Sequence, residues 1–188
     1  YAAFNYPGVV AHVGAISLVD GSVHRLHDVK GPVMHTVTSL AYDPAAKTLF
    51  YTADNAVYRD LMKLDPTTGK ARLLMKDCRI GELVFDSTRR AIWGLRHNQG
   101  IVTLVRIDAP YLAWKQIYTF DYGTSLYDLD ISPDGRYLSA SVASIEGRHV
   151  LRVMTIESLE NQSPTAVAEL DFGTTIPSNF VFSSDGNY

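Results

Sequence analysis

Apolar and polar residues alternate in short runs along most of the chain, and Gly, Pro, Asp and Ser gather between the runs. Alternation with a period of two predicts half-buried β-strands, and no 3.6-residue apolar stripe predicts a long helix. The clearest unit is residues 129–138, Leu-Asp-Ile-Ser-Pro-Asp-Gly-Arg-Tyr-Leu. Here Pro133 presets φ, Asp134 can bond its own backbone, and Gly135 supplies the positive φ that closes a tight hairpin. Residues 40–49 and 83–92 keep the apolar frame and a turn, and 180–188 repeat the frame around Ser-Ser-Asp-Gly. The turn openers Asp43, Asp86, Ser132 and Ser183 stand 43, 46 and 51 residues apart. A second column, Leu64-Asp65, Ile107-Asp108 and Ile156-Glu157, follows the same repeat. Periods of this length, built from alternating strands, predict an all-β fold: a β-propeller with blades of four antiparallel strands.

About three complete blades are expected, with partial blades at both ends: a partial blade over 1–35, blades over 36–80, 81–125 and 126–177, and the start of another over 178–188. The first complete blade places strands near 37–43, 48–54, 57–65 and 70–76, after a loop containing Gly31-Pro32. The second uses 81–86, 91–96, 101–108 and 115–121, and the third 126–131, 137–143, 149–157 and 165–171. The third blade's outer turn, 158–164, reads as a long polar loop. A last strand is expected at 179–183, followed by a hairpin turn that leaves only Tyr188 beyond it. The terminal pieces could combine into a closed four-bladed ring. The turn without a returning strand favours a slice of a larger propeller, as does a start at Tyr1 without an initiator Met or basic leader.

The pattern apolar-x-apolar-Ser-Pro-Asp-Gly-x-x-Leu at 129–138 resembles the WD40-like propeller repeat of the TolB family. It is also similar to the propellers that cover the active site of prolyl oligopeptidase-type peptidases. The Gly-His and Trp-Asp dipeptides of true WD40 repeats are absent. The resemblance implies a propeller in a bacterial envelope protein, periplasmic or at the cell envelope, and it speaks to fold more than to activity.

Composition narrows the function classes. The 188 residues are 46% hydrophobic and 20% charged, ordinary for a globular domain, and no apolar run is long enough for a membrane-spanning helix. A net charge of −3, with Arg89-Arg90 as an adjacent basic pair inside a turn, argues against a nucleic-acid surface. The single cysteine, Cys78, rules out an internal disulfide. Gly-x-Ser-x-Gly, His-Glu-x-x-His and phosphate-loop motifs are missing, so no catalytic residue, metal ligand or cofactor is assigned. Arg79 beside Cys78 would favour a thiolate if the thiol were exposed, but a small buried filler is the plainer reading.

The candidate binding residues come from the repeat. The polar residues Ser39, Glu82, Asp128 and Asn179 occupy one column at the starts of the four inner strands. In a radial arrangement they would converge on one mouth of the channel and could contact a ligand, a basic peptide or a cation; solvated strand starts are the plainer alternative. His97 and His149, beside Arg96 and Arg148, fall in equivalent loops of neighbouring blades and join the candidate site. The expected function is a non-catalytic scaffold with a protein or peptide partner, without nucleic acid and without membrane insertion. The alternative is an accessory propeller of a larger hydrolase or peptidase whose catalytic residues lie outside these 188.

Overall fold

The computed structural model describes residues 1–31, 35–55 and 57–186. Pro32 of the loop before the first complete blade, and Asn187 and Tyr188 at the end of the last turn, lie outside the described residues. Strands β1 (Ala2–Phe4), β2 (His12–Ile16) and β3 (Val23–Asp28) form a three-stranded antiparallel sheet. Strands β4 (Thr36–Asp43), β5 (Thr48–Asp54), β6 (Arg59–Leu64) and β7 (Ala71–Met75) form the first four-stranded meander. A second comprises β8 (Ile80–Asp86), β9 (Ala91–Asn98), β10 (Ile101–Asp108) and β11 (Lys115–Thr119). The third holds β12 (Ser125–Ile131), β13 (Tyr137–Ala143), β14 (His149–Thr155) and β15 (Ala166–Gly173), with helix α1 (Ile156–Glu160) before its last strand. Three four-stranded sheets and one three-stranded sheet, each paired in sequence order, are the blades of an all-β propeller fold.

The chain divides into two compact units, 1–83 and 84–188, and β8 runs through the division. In the first unit, the sheet β1–β3 packs on the face of β4–β7 that carries Tyr51 and Ala53. Val13, Val29, Val37, Leu49, Tyr51 and Leu64 are all buried in that core. Burying such side chains contributes roughly 1.5–3 kcal/mol each. Two polar devices fix the packing. The Asn5 side chain clamps the Val37 backbone in both directions, donating to its carbonyl at 2.8 Å and accepting from its N–H at 2.9 Å. Gly69, at φ +68°, sits so close to the sheet that a Cβ would lie 2.6 Å from the Leu26 carbonyl oxygen. Only glycine meets both demands.

The second unit packs Trp93, Leu95 and Leu104 of the second meander against Leu126, Leu138, Ala140 and Val142 of the third. Alternation along β13 therefore turns Ser139 and Ser141 to the opposite face of its sheet.

Three expectations are corrected here. The outer loop at 158–164 is not wholly irregular, because α1 occupies its start. The Thr155 hydroxyl caps this turn by accepting the Ser158 N–H, and Ile156 and Leu159 are buried. The expected last strand at 179–183 is not a strand; the N–H groups of Asn179 and Phe182 are bound by the side chains of Asp128 and Asp130 in place of a β ladder. His97 and His149 belong to strands rather than loops. His97 is paired with Val102 near the end of β9, and His149 opens β14 opposite Ala143 and Gly173.

Candidate functional site

The polar column at the inner-strand starts is a structural feature with a recurrent backbone. Glu82, Asp128 and Asn179 all adopt positive φ, at 48°, 44° and 58°. In β12 the register skips Asp128, and in β4 it skips Thr38, one residue before Ser39. Each inner strand thus carries a bulge or kink near this column, which bends it and re-aims one side chain. Non-glycine residues in this region are strained, and such strain persists only where neighbouring contacts hold it.

Those contacts come from the column itself. In the first unit the Ser39 hydroxyl accepts the Leu83 N–H at 2.5 Å, immediately after Glu82. In the second, the Asp128 carboxylate accepts the Asn179 N–H at 3.0 Å, and the Asp130 carboxylate accepts the Phe182 N–H at 2.6 Å. A side chain from one inner strand therefore holds the backbone of the next inner segment along the chain. The structure brings Ser39 to the backbone beside Glu82 and Asp128 to Asn179, and no histidine takes part in these bonds. Glu82 is half-buried and Asn179 exposed.

Asp130 was not singled out from the sequence. Burial pushes its carboxyl above the ordinary carboxylate range, against the opposing effect of the Phe182 and Ile131 N–H groups. Its signal was an acidic residue inside an otherwise apolar half-buried strand. The histidines differ from one another. His97 is exposed, whereas His149 is half-buried with Nδ1 shielded from solvent and without a hydrogen bond. The hydroxyls of Ser139 and Ser141 are likewise shielded and unbonded. Cys78 is buried; its thiol donates to the Arg59 carbonyl at 3.5 Å, and burial pushes its pKa up. The neighbouring Arg79 turns to Asp77 instead, 3.2 Å away, so the thiol stays protonated and a poor nucleophile. No group of three or more His, Cys, Asp or Glu able to hold a metal ion is found among the described residues.

No protein-family model matches this chain, and no curated protein does. Solved structures do. TolB from Acinetobacter baumannii superposes with a TM-score of 0.66 at 12% identity, over 85% of this chain and 38% of that one. A TolB candidate from Agrobacterium tumefaciens gives 0.69 at 12% identity, over 91% of this chain and 61% of that one. The periplasmic gluconolactonase of Pseudomonas aeruginosa gives 0.64 at 17% identity, over 94% and 55%. The fold is that of a TolB-like propeller. At these identities the likeness extends to the fold alone, and the chain spans between about two fifths and three fifths of the length of the proteins it matches. No helix among the described residues is long and apolar enough to cross a membrane.

Proposed function

We propose that this chain is a segment of a larger propeller of the WD40-like, TolB-like kind, and that it serves as a non-catalytic scaffold for a protein or peptide partner in the bacterial envelope. The observation that carries this reading is the sheet β12–β15. Its last strand, β15, is exposed along all eight residues, with Val167, Leu170 and Phe172 each at least two-fifths exposed. Its inner neighbour is β14, and its outer edge offers free backbone groups to an added strand. The column of Ser39, Glu82, Asp128 and Asn179 supports the scaffold reading differently, because two of its side chains are engaged in holding successive inner segments.

A photo-reactive amino acid at Leu170 or Phe172 of the full-length protein, expressed in its own host, should give a discrete cross-linked protein adduct. The same group at Leu18, also exposed but on the hairpin between β2 and β3, should not. Equal labelling from both positions, or none from β15, would remove the reading. A second reading, a propeller belonging to a hydrolase, draws on the likeness to the gluconolactonase. Its catalytic residues would lie outside these 188, so turnover of a lactone by the full-length protein, with none by the isolated chain, would favour it.

A further inference from the structure

The first unit carries a half-open cavity of about 360 Å³ between β3 and the β5–β6 pair. One wall follows from the ladder. Tyr51 stands opposite Met62 and Ala53 opposite Asp60, so alternation puts all four on the face that looks into the cavity. His27 of β3 and the pair His35 and Tyr58 complete it. These groups are held in place. The His27 Nδ1 donates to the Gly69 carbonyl at 3.0 Å, which fixes the orientation of the ring. The Asn55 side-chain Oδ1 accepts the Val57 and Tyr58 N–H groups at 2.8 and 2.9 Å, which helps to position Tyr58. His35 meets the Tyr58 ring edge-on, with centroids 6.1 Å apart. The His35 ring lies against Gly31, where any Cβ would collide with it.

The two carboxylates at this cavity differ in their ion pairing. At the rim Lys30 lies 3.4 Å from Asp28, which also pairs with Arg25. Asp60 has no ion-pair partner among the described residues; its carboxylate accepts the Asp77 N–H at 2.7 Å. Aromatic faces, a thioether and one unpaired carboxylate in a partly enclosed space suit a compact cation with an apolar stem. The volume stands at the small end of the ligand-binding range, roughly 300–1,000 Å³, and is enough for such a group.

We propose that this cavity binds an alkylammonium group, with Asp60 as its counter-ion and the Tyr58 ring and Met62 thioether beside its stem. The group comes either from a free small amine or from a lysine side chain of a peptide. The assignment stands independently of the scaffold reading, which rests on the other unit.

The test is an NMR titration of the chain with n-butylammonium chloride, with n-butanol at equal concentration as the neutral isostere. Saturable shifts of the His27 and His35 ring protons and the Met62 methyl are expected with the cation, and affinity at least about tenfold weaker with the alcohol. Asp60→Asn keeps an acceptor for the Asp77 N–H and should weaken n-butylammonium binding by about tenfold or more. Nα-acetyl-lysine methylamide separates the two sources: tighter binding than n-butylammonium assigns the site to a peptide lysine, weaker binding to a free amine. Equal affinities for cation and alcohol would overturn the proposal, and so would an unchanged affinity in a folded Asp60→Asn. The comparison of the two probes on the unaltered chain decides the matter even if the variant does not fold.

Discussion

The second unit closes the same hairpin twice with different chemistry. Between β8 and β9 the turn opens on Asp86, 1% exposed, whose carboxylate does nearly everything. One oxygen accepts the Thr88 N–H, the Thr88 hydroxyl and the Arg89 N–H; the other accepts the Arg89 guanidinium at 3.0 Å and the Trp93 indole N–H at 3.3 Å. Between β12 and β13 the turn opens on Ser132, whose hydroxyl donates to Asp134 at 2.7 Å and accepts the Tyr137 N–H at 2.9 Å. The positive φ also moves, falling on Arg90 at 52° in the first and on Gly135 at 69° in the second. Asp43 and Lys47 repeat the aspartate solution, and Ser183, Asp185 and Gly186 the serine one. The turns without Pro-Asp-Gly are therefore not eroded copies. A carboxylate that binds several N–H groups at once holds a non-glycine residue at positive φ, whereas a hydroxyl bonds fewer groups and leaves that position to glycine.

The two turns also meet. The Arg89 guanidinium donates to the Gly135 carbonyl at 2.7 Å, and a Cβ at Gly135 would collide with the Thr88 hydroxyl. Gly135→Val should therefore be the most damaging change, because a β-branched residue resists positive φ and the added atoms strike the neighbouring turn as well. A loss of more than about 3 kcal/mol is expected in urea unfolding. A loss below that of an ordinary surface substitution would show that the two turns do not lock.

Asp86→Ala comes next, at about 2–4 kcal/mol, since it leaves the buried Trp93 N–H and the turn N–H groups without an acceptor. It should also flatten the acid limb of the stability curve. Burial alone would raise the Asp86 carboxyl, but the Thr88 hydroxyl, the Arg89 N–H and the Arg89 guanidinium outweigh it and hold the group below its ordinary 3.8. A depressed folded value means stability that is present above 3.8 and lost as pH falls through the folded value. Unfolding midpoints from pH 7 down to pH 3 should therefore converge for wild type and variant; a constant gap would show that the loss is packing rather than charge.

The comparison explains what the sequence made legible. Turn openers and strand alternation are local, so Asp43, Asp86 and Ser132 marked the blades and Gly135 marked its φ. The column Ser39, Glu82, Asp128 and Asn179 was legible as a column but not as a set of fastenings, because its bonds reach backbone groups far along the chain and leave no neighbouring signature. Helix α1 had a signal, with Ile156 and Leu159 three residues apart behind Thr155, yet one turn is too short for periodicity to register. Residues 179–183 carried a strand's alternation but join no β ladder among the described residues, and pairing is what the sequence cannot state.

The smallest expected effect is at Asp134, the serine turn's counterpart of the Asp86 carboxylate. The Ser132 hydroxyl, then the Arg136 N–H and guanidinium, lower its pKa to about 2. The shift is clear, but the side chain is solvated and water competes for every one of those bonds, so the shift converts poorly into stability. By the same sign as for Asp86, its contribution is present above 3.8 and disappears as pH falls toward about 2. Asp134→Asn keeps an acceptor for the Ser132 hydroxyl and the Arg136 N–H and removes only the charge. At pH 7 its thermal midpoint should fall slightly, by much less than that of Asp86→Ala, and half-molar salt should shrink the difference further because the ion pair with Arg136 is exposed. A loss at Asp134 as large as that at Asp86, insensitive to salt, would mean that the serine turn depends on a carboxylate after all, and the distinction between the two turns would fall.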